Sequence, residues 1–534
     1  MNRKTKLIIE NIYVPYSEGM SAADVDMSAL AAAEKKLKKT FGIKGDDLAI
    51  YRKSIDARKR NAIRFVFSVC AEAEVSPDKV KSRAADGFKL CENSSFEHTV
   101  GQRQLDGRPV IVGFGPAGIF CAMALAENGY RPIVYERGAD VEERVAAVER
   151  FVSSGVLDTD CNIQFGAGGA GTFSDGKLTT RINDPLCSYV LEKLVSLGAP
   201  EDILYKAKPH IGTDVLRQVV AEADRRIRSL GGDIIYNSKV TLDGETALVN
   251  GETVPYGVLV LALGHSARDT YAELLSAGYM IEAKPFSAGV RIEHLQSELD
   301  VAMFGDFAGD ERLGHAEYNV SLRDGQRGVY SFCMCPGGRV VGAASEEGGV
   351  VTNGMSNRLR DGRNANAALA VSVLPGDFGG TPAGAIEFQR NLERTAYKAA
   401  GCDYSAPMQT VGDFLDGTSG SEASRIMPTY MNGRVTPLDL HLVLPPFITD
   451  MLEKGIRYFG GRIRGFDGKD VPLTGVETRT SAPVRIIRNE KYTAIGKGNI
   501  YPCGEGAGYA GGIMSAAIDG LKVARAVMEE YSPE

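Results

Sequence analysis

Residues 109–118 read PVIVGFGPAG and residues 131–136 read RPIVYE. The first run is an apolar strand that breaks into glycines and opens a helix over IFCAMALAENG, residues 119–129; the second run is another strand. Strand, glycine turn, helix and strand make a βαβ unit of the dinucleotide-binding kind. Gly113 permits the tight turn, Gly115 lets the backbone approach a pyrophosphate, and Gly118 allows the helix to pack closely on the strand. Pro116 and Ala117 begin a helix whose free amides and positive end would hold the phosphates. Glu136 ends the second strand, near the ~20-residue spacing expected of an acid that bonds the adenosine ribose. With Arg137 it completes this part of the candidate cofactor site. A carboxylate there repels a 2′-phosphate, which disfavours NADP.

NAD and FAD both fit that unit, and two further segments favour FAD. Residues 166–177 read GAGGAGTFSDGK, whose amides are free to follow a long cofactor. Gly168, Gly169, Ala170, Thr172, Gly176 and Lys177 are the candidates there. Near the end, GNIYPCGEGAGYAGGIMSAAIDG returns as strand, glycine turn and helix. Gly504 and Glu505 sit at the strand end, and Gly511, Gly512 and Ile513 open a helix whose positive terminus suits a reduced flavin. Gly264, closing the apolar strand VLVLALG, joins the same candidate set.

The expected fold is α/β. It comprises a Rossmann-type FAD-binding domain, with a parallel sheet and β-meander, over 108–285 and 476–534. A mixed α+β substrate domain, 286–475, is inserted into it. A small α/β module, 1–100, precedes both, with strands at 5–14, 47–53 and 61–70 and a helix at 22–40. The polar stretch GQRQLDGR, 101–108, is the linker.

Taken together, VIVGFGPAG with YERG, NIQFGAGGAGTFSDGKLTTR, LVLALGHSARDT, SFCMCPGGRVVGAASEEG and the terminal GNIYPCGEGAGYAGGIMSAAIDG resemble the FAD-binding superfamily typified by glutathione reductase and fumarate reductase. The likeness is greatest to the bacterial uncharacterised FAD-dependent (NAD(FAD)-utilising) dehydrogenases. It implies that Glu505 contacts the ribityl chain, where many relatives carry Asp. It also implies non-covalent FAD, because residues 166–177 contain no His to attach a flavin. The CxxxxC pair and second nucleotide domain of the disulfide reductases are missing.

Composition narrows the partners. The chain has 534 residues, net charge −7 and 62 Gly, an excess over the usual ~7%. Its acidity argues against coating nucleic acid or an anionic membrane. The first 100 residues are mildly basic, with 18 Lys plus Arg against 14 Asp plus Glu. Their runs AEKKLKK and YRKSIDARKR read as solvated faces, and nucleic acid is not expected as a partner. Nine scattered Cys without metal-ligand spacing, and no signal peptide or ~20-residue apolar run, give the expectation of a cytoplasmic chain with no metal and no membrane span.

The reading is therefore an FAD-dependent oxidoreductase moving a hydride between flavin and a small organic substrate, with NADH or NADPH docking transiently as electron partner. Alternatives are a flavin-dependent RNA modifier and a flavin-binding protein without turnover. His210 and His294 stand near element ends as candidate proton carriers, and Arg291 as a clamp for an anionic substrate. GTFSDGKL nearly spells a P-loop, but Leu178 follows the Lys where a magnesium-binding hydroxyl is required. Cys333-Met334-Cys335 reads as two inert core thiols before a PGG hairpin turn. Two residues apart in a straight strand, their Cα atoms lie ~7 Å from each other, at the limit for an unstrained disulfide.

Overall fold

The computed structural model describes residues 4–59, 62–91 and 95–533. Arg60, which ends the run YRKSIDARKR, and Asn61, the expected start of a strand, lie outside them. The chain forms two compact units: Met1–Phe96 with Asn183–His210 and Asp300–Ala316, and Glu97–Ile182 with Ile211–Leu299 and Glu317–Glu534. The smaller unit thus includes 183–210 and 300–316, segments that local sequence pattern assigned to the FAD-binding and substrate domains.

In the smaller unit, Thr5–Pro15, Asp46–Asp56, Arg64–Ala73 and Phe88–Leu90 form an antiparallel sheet in the order second, third, first, fourth. The helix Ala22–Phe41 starts at a capping box, Ser21 with Asp24, and stops at Gly42 in the left-handed region. Its buried stripe Val25, Ala29, Ala33 and Leu37 has the four-residue spacing of one helical face. With the short helix Pro77–Lys81 before the last strand, the order is that of a ferredoxin-like split βαβ.

The larger unit holds two main sheets besides smaller ones. The first is wholly parallel, in the order Ile500–Pro502, Leu259–Leu261, Val110–Val112, Ile133–Tyr135, Asp233–Ile235. Val110, Ile111, Leu259, Val260, Leu261 and Ile500 are completely buried, as expected of a sheet covered on both faces. Its helices include Pro116–Glu127, Thr213–Ser229 and Ile513–Glu530. A methyl group on Gly520 would lie 2.2 Å from Ala117 O, so the first and last helices meet backbone to backbone. Between the last two strands of the first half runs a three-stranded meander: Val240–Asp243, Thr246–Val249 and Glu252–Val254.

The second sheet has the order Ser321–Asp324, Arg327–Cys335, Asn364–Val373, Phe286–Leu295, Pro472–Glu477, Ala406–Thr410, Val435–Pro437. Its neighbours are antiparallel except for the last pair. The Cys335-Pro336-Gly337-Gly338 turn is not a hairpin, contrary to expectation. Arg339–Gly342 leaves this sheet and pairs with Thr352–Met355 instead.

No helix among the described residues is long and apolar enough to cross a membrane.

Candidate functional site

The glycine turn after Val110–Val112 is shaped by contacts that exclude side chains. A methyl on Gly113, whose φ is +104°, would stand 2.4 Å from Ala262 O, and one on Gly118 would stand 2.0 Å from Gly113 O. Gly115 differs. Its φ of −85° suits any residue, and the nearest atom to a methyl there is Gly169 Cα at 3.8 Å. The protein therefore leaves open space in front of Gly115. Beside that space the helix Pro116–Glu127 begins with Gly115 as its cap, with no side-chain cap and no acid in its first turn. Uncapped amides at a positive helix end are an anion site.

Glu136 closes the other side of this turn. Its buried carboxylate accepts N–H groups from Phe114 at 2.8 Å, Gly138 at 3.0 Å and Gly166 at 2.9 Å. It staples the glycine turn, its own strand end and the 166–177 segment together. A carboxylate has about four acceptor positions, which leaves one for a further donor.

The segment 166–177 is moulded by a residue that the sequence reading missed. Arg144, completely buried on the helix Val141–Ser154, donates Nε to Asn162 O at 2.9 Å and Nη2 to Ile163 O at 2.9 Å. Its Nη1 reaches Gly166 O at 3.2 Å, Ala167 O at 2.6 Å and Gly169 O at 3.0 Å. The signal was present: Arg144 occupies the apolar stripe shared with Ala147, Val148 and Phe151. Gly168 N–H donates to Phe114 O at 2.7 Å, Gly169–Phe173, which includes Ala170 and Thr172, forms a 3₁₀ turn, and Gly176 takes φ +68°. A methyl on Gly169 would meet Gly115 Cα at 3.0 Å, so the two glycine segments face one another.

The returning chain completes the cradle. Gly504, at φ +74°, approaches Ala117, and its N–H donates to Asp519 Oδ2 at 2.7 Å. Asp519 is itself paired with Arg488 at 2.6 Å, a second support invisible in the sequence. Gly264, at φ +69°, lies against Gly506. Gly511 and Gly512 have nothing within 4 Å of an added methyl, and they precede the helix that Ile513 begins, again without a side-chain cap.

Among the described residues, the Glu505 carboxylate has no hydrogen-bond donor, and burial, opposed weakly by Lys284, pushes it up to about 7. The unfolded chain holds such a group near 4.5, so the folded state disfavours its ionised form. Native stability therefore falls as pH rises from about 4.5 to about 7 and is flat with respect to this group above that. Glu505→Gln is expected to raise the stability of the flavin-free protein at pH 8 by ~1–2 kcal/mol. The gain should vanish at pH 4; paired thermal melts at the two pH values check it.

Other expected site residues are engaged elsewhere. Arg137 lies over the Phe165 ring and pairs with Asp160 at 3.0 Å and Asp269 at 2.6 Å. Lys177 pairs with buried Asp175 at 3.0 Å, which also holds Arg360 at 2.6 Å and accepts from Ser356. These are structural ties of the loop.

The three residues expected to be catalytic are all buried. All five N–H groups of completely buried Arg291 are used, by Glu477, Asn366, Asn353 and Cys333 O, leaving none for a substrate anion. His294 is buried against Tyr318 and Phe466, bonded through Nε2 to Phe466 O at 3.0 Å, and burial pushes it down to about 4. It is a neutral core imidazole rather than a proton carrier. His210 is buried and belongs to the smaller unit.

A parallel sheet with a glycine-lined, anion-attracting crevice at its strand ends is the architecture of a dinucleotide-binding protein. The family described as FAD-dependent protein, C-terminal domain-like, matches residues 285–480. A protein of Clostridium beijerinckii, described as uncharacterized, is 45% identical over 523 residues, 95% of this chain and 97% of its own. The chain belongs to the family of that protein. Among solved structures it is similar to glycine oxidase from Geobacillus kaustophilus, with 11% identity, 78% and 93% of the two chains covered and a TM-score of 0.33. It is likewise similar to 2-methyl-3-hydroxypyridine-5-carboxylic acid oxygenase in its tetrameric form, with 14% identity, 81% and 84% covered and a TM-score of 0.32.

Proposed function

We propose that this chain is an FAD-dependent oxidoreductase that holds its flavin non-covalently in the crevice described above. The observation that carries the reading is the open space at Gly115, a position where the fold itself has no need of glycine, beside an uncapped helix end. The pyrophosphate would lie along Gly113–Gly118 and Gly169. The free acceptor position of Glu136 would take an adenosine ribose hydroxyl, and Glu505, lacking a donor of its own, would accept from the ribityl chain. FAD, when bound, supplies two-electron hydride chemistry.

The chain's own contribution is electrostatic and steric. The helix beginning at Ile513 directs its positive end toward Gly511 and Gly512, where negative charge on a reduced ring would be stabilised. The sheet of 286–475 would provide the substrate face and exclude water. A reduced nicotinamide would be a transient electron donor, and the substrate a small organic molecule. A dehydrogenase or reductase in the cytoplasm is the finer form of this reading.

The test is isolation of the full chain. A yellow protein releasing one FAD per chain on acid precipitation is expected, with the flavin bleached anaerobically by NADH or NADPH. A folded, colourless protein that takes up no added FAD would refute the proposal.

A further inference from the structure

The strand Arg327–Cys335 carries Cys333-Met334-Cys335, a pair that the cofactor reading leaves unused. Its ladder with Asn364–Val373 loses register between Phe332 and Cys335. Cys333 takes φ +45°, a left-handed conformation that residues with side chains rarely adopt and that clusters at functional sites. The straight-strand argument for two inert thiols therefore does not apply. Cys335 Sγ–H donates to Cys333 O, 3.3 Å away, so the side chain of one cysteine folds back on the backbone of the other. Cys333 is half-buried, whereas Cys335 is buried.

The surroundings are charged and incompletely satisfied. Arg291 donates Nη1 to Cys333 O at 3.0 Å, and Lys177, Asp175 and Arg291 all bear electrostatically on the thiols. Asn366, opposite Cys335 in register, and Tyr318, whose N–H donates to Met334 Sδ at 3.0 Å, each bury a side-chain polar atom that has no partner. Orphaned polar atoms of this kind require an explanation, and a binding role is one. The neighbouring Cys335 thiol, then Arg291 and Lys177, draw the Cys333 thiol down to about 6 against burial and Asp175, while Cys335 is pushed well up. A partly exposed, acidic thiol beside a buried partner is the arrangement of an attacking and a resolving cysteine.

We propose that Cys333 and Cys335 form a redox-active dithiol whose oxidant is a low-molecular-mass disulfide. The Cys333 thiolate attacks one sulfur of that disulfide; the substrate S–S bond breaks, one thiolate leaves, and a mixed disulfide forms on Cys333. Cys335 then gives up its proton and attacks Cys333 Sγ, releasing the second thiolate and closing an internal disulfide. The substrate gains two electrons and becomes two thiols, and the protein pair loses two. This half needs no flavin. Return of two electrons and two protons from reduced flavin rests on the function proposed above.

The test uses the full chain, yellow and flavin-stripped, equilibrated in reduced and oxidised glutathione, acid-quenched, alkylated and digested. The tryptic peptide 328–339 should lose two hydrogens in oxidised glutathione and regain them with dithiothreitol. In Cys335→Ser the same peptide should instead carry one glutathione on Cys333, and in Cys333→Ser neither change should occur. Iodoacetamide labelling of Cys333 should be half-maximal near pH 6 rather than ~8.5, and should move upward in Cys335→Ala. An unmodified peptide in excess oxidised glutathione, with labelling at the ordinary thiol pH, overturns the proposal. A working thiol cycle in colourless protein refutes only the flavin reading, whereas inert thiols in yellow protein refute only this one.

Discussion

Arg144→Met is expected to destabilise the protein by ~3–5 kcal/mol and to abolish retention of FAD. One guanidinium satisfies the carbonyls of Asn162, Ile163, Gly166, Ala167 and Gly169, and it does so from the interior, stacked 4.8 Å over Phe173. Burial pushes Arg144 down to about 10, so it remains charged at neutral pH. Methionine keeps much of the volume but leaves the carbonyls without donors, each lost bond to a charged group costing ~1.5–3 kcal/mol before the loop relaxes. Arg144→Lys should recover only part of the loss, because an ammonium has three donors and no planar fork. Denaturant melts and flavin absorbance check both variants. A methionine variant within ~1 kcal/mol of the parent, still yellow, would mean that the loop is moulded by something else.

Gly115→Ala is expected to weaken FAD binding by ~10- to 100-fold while the flavin-free protein keeps its melting temperature within a few degrees, a split equivalent to ~1.4–2.7 kcal/mol of binding alone. The alanine methyl meets no protein atom closer than Gly169 Cα at 3.8 Å, and the backbone at φ −85° accepts it without strain. It would, however, occupy the space through which a phosphate reaches the helix amides. Gly118→Ala is the contrasting control: its methyl would lie 2.0 Å from Gly113 O, so fold and binding should fail together. Titration of flavin-free protein by flavin fluorescence, beside thermal melts, separates the two behaviours. Equal affinity in Gly115→Ala and the parent would remove the pyrophosphate from this turn.

The parallel sheet was legible because its strands are short apolar runs closed by glycines that only a few backbone geometries explain. The helices 116–127 and 513–530 were legible because each follows a strand that breaks into glycines. Three things were not. Polar residues in Phe286–Leu295 looked like site groups, yet that strand is buried throughout most of its length, Arg291 spends all its N–H groups inside the protein, and His294 packs among aromatic rings with one ring nitrogen bonded to Phe466 O. The Cys335–Gly338 turn has hairpin composition, but turn chemistry does not tell the chain which sheet receives the next strand. The boundaries of the smaller unit depend on 183–210 and 300–316 joining the same compact unit as the first 96 residues, a non-local fact with no local pattern. The candidate site was legible where glycine was required and illegible where support came from afar, as with Arg144 and Asp519.

The near contact of Gly520 with Ala117 couples two stretches that ribosomal synthesis produces far apart in time. Tyr130, just beyond the first helix, bonds Tyr531 O across 401 residues of chain. At ~5–20 residues per second the earlier stretch waits ~20–80 s for its companion. During that interval the helix Pro116–Glu127, whose residues 117–126 are all interior in the finished protein, has no permanent cover. Nascent chains of this protein should accordingly lean on chaperones, and ones stalled before residue 500 should be prone to clump.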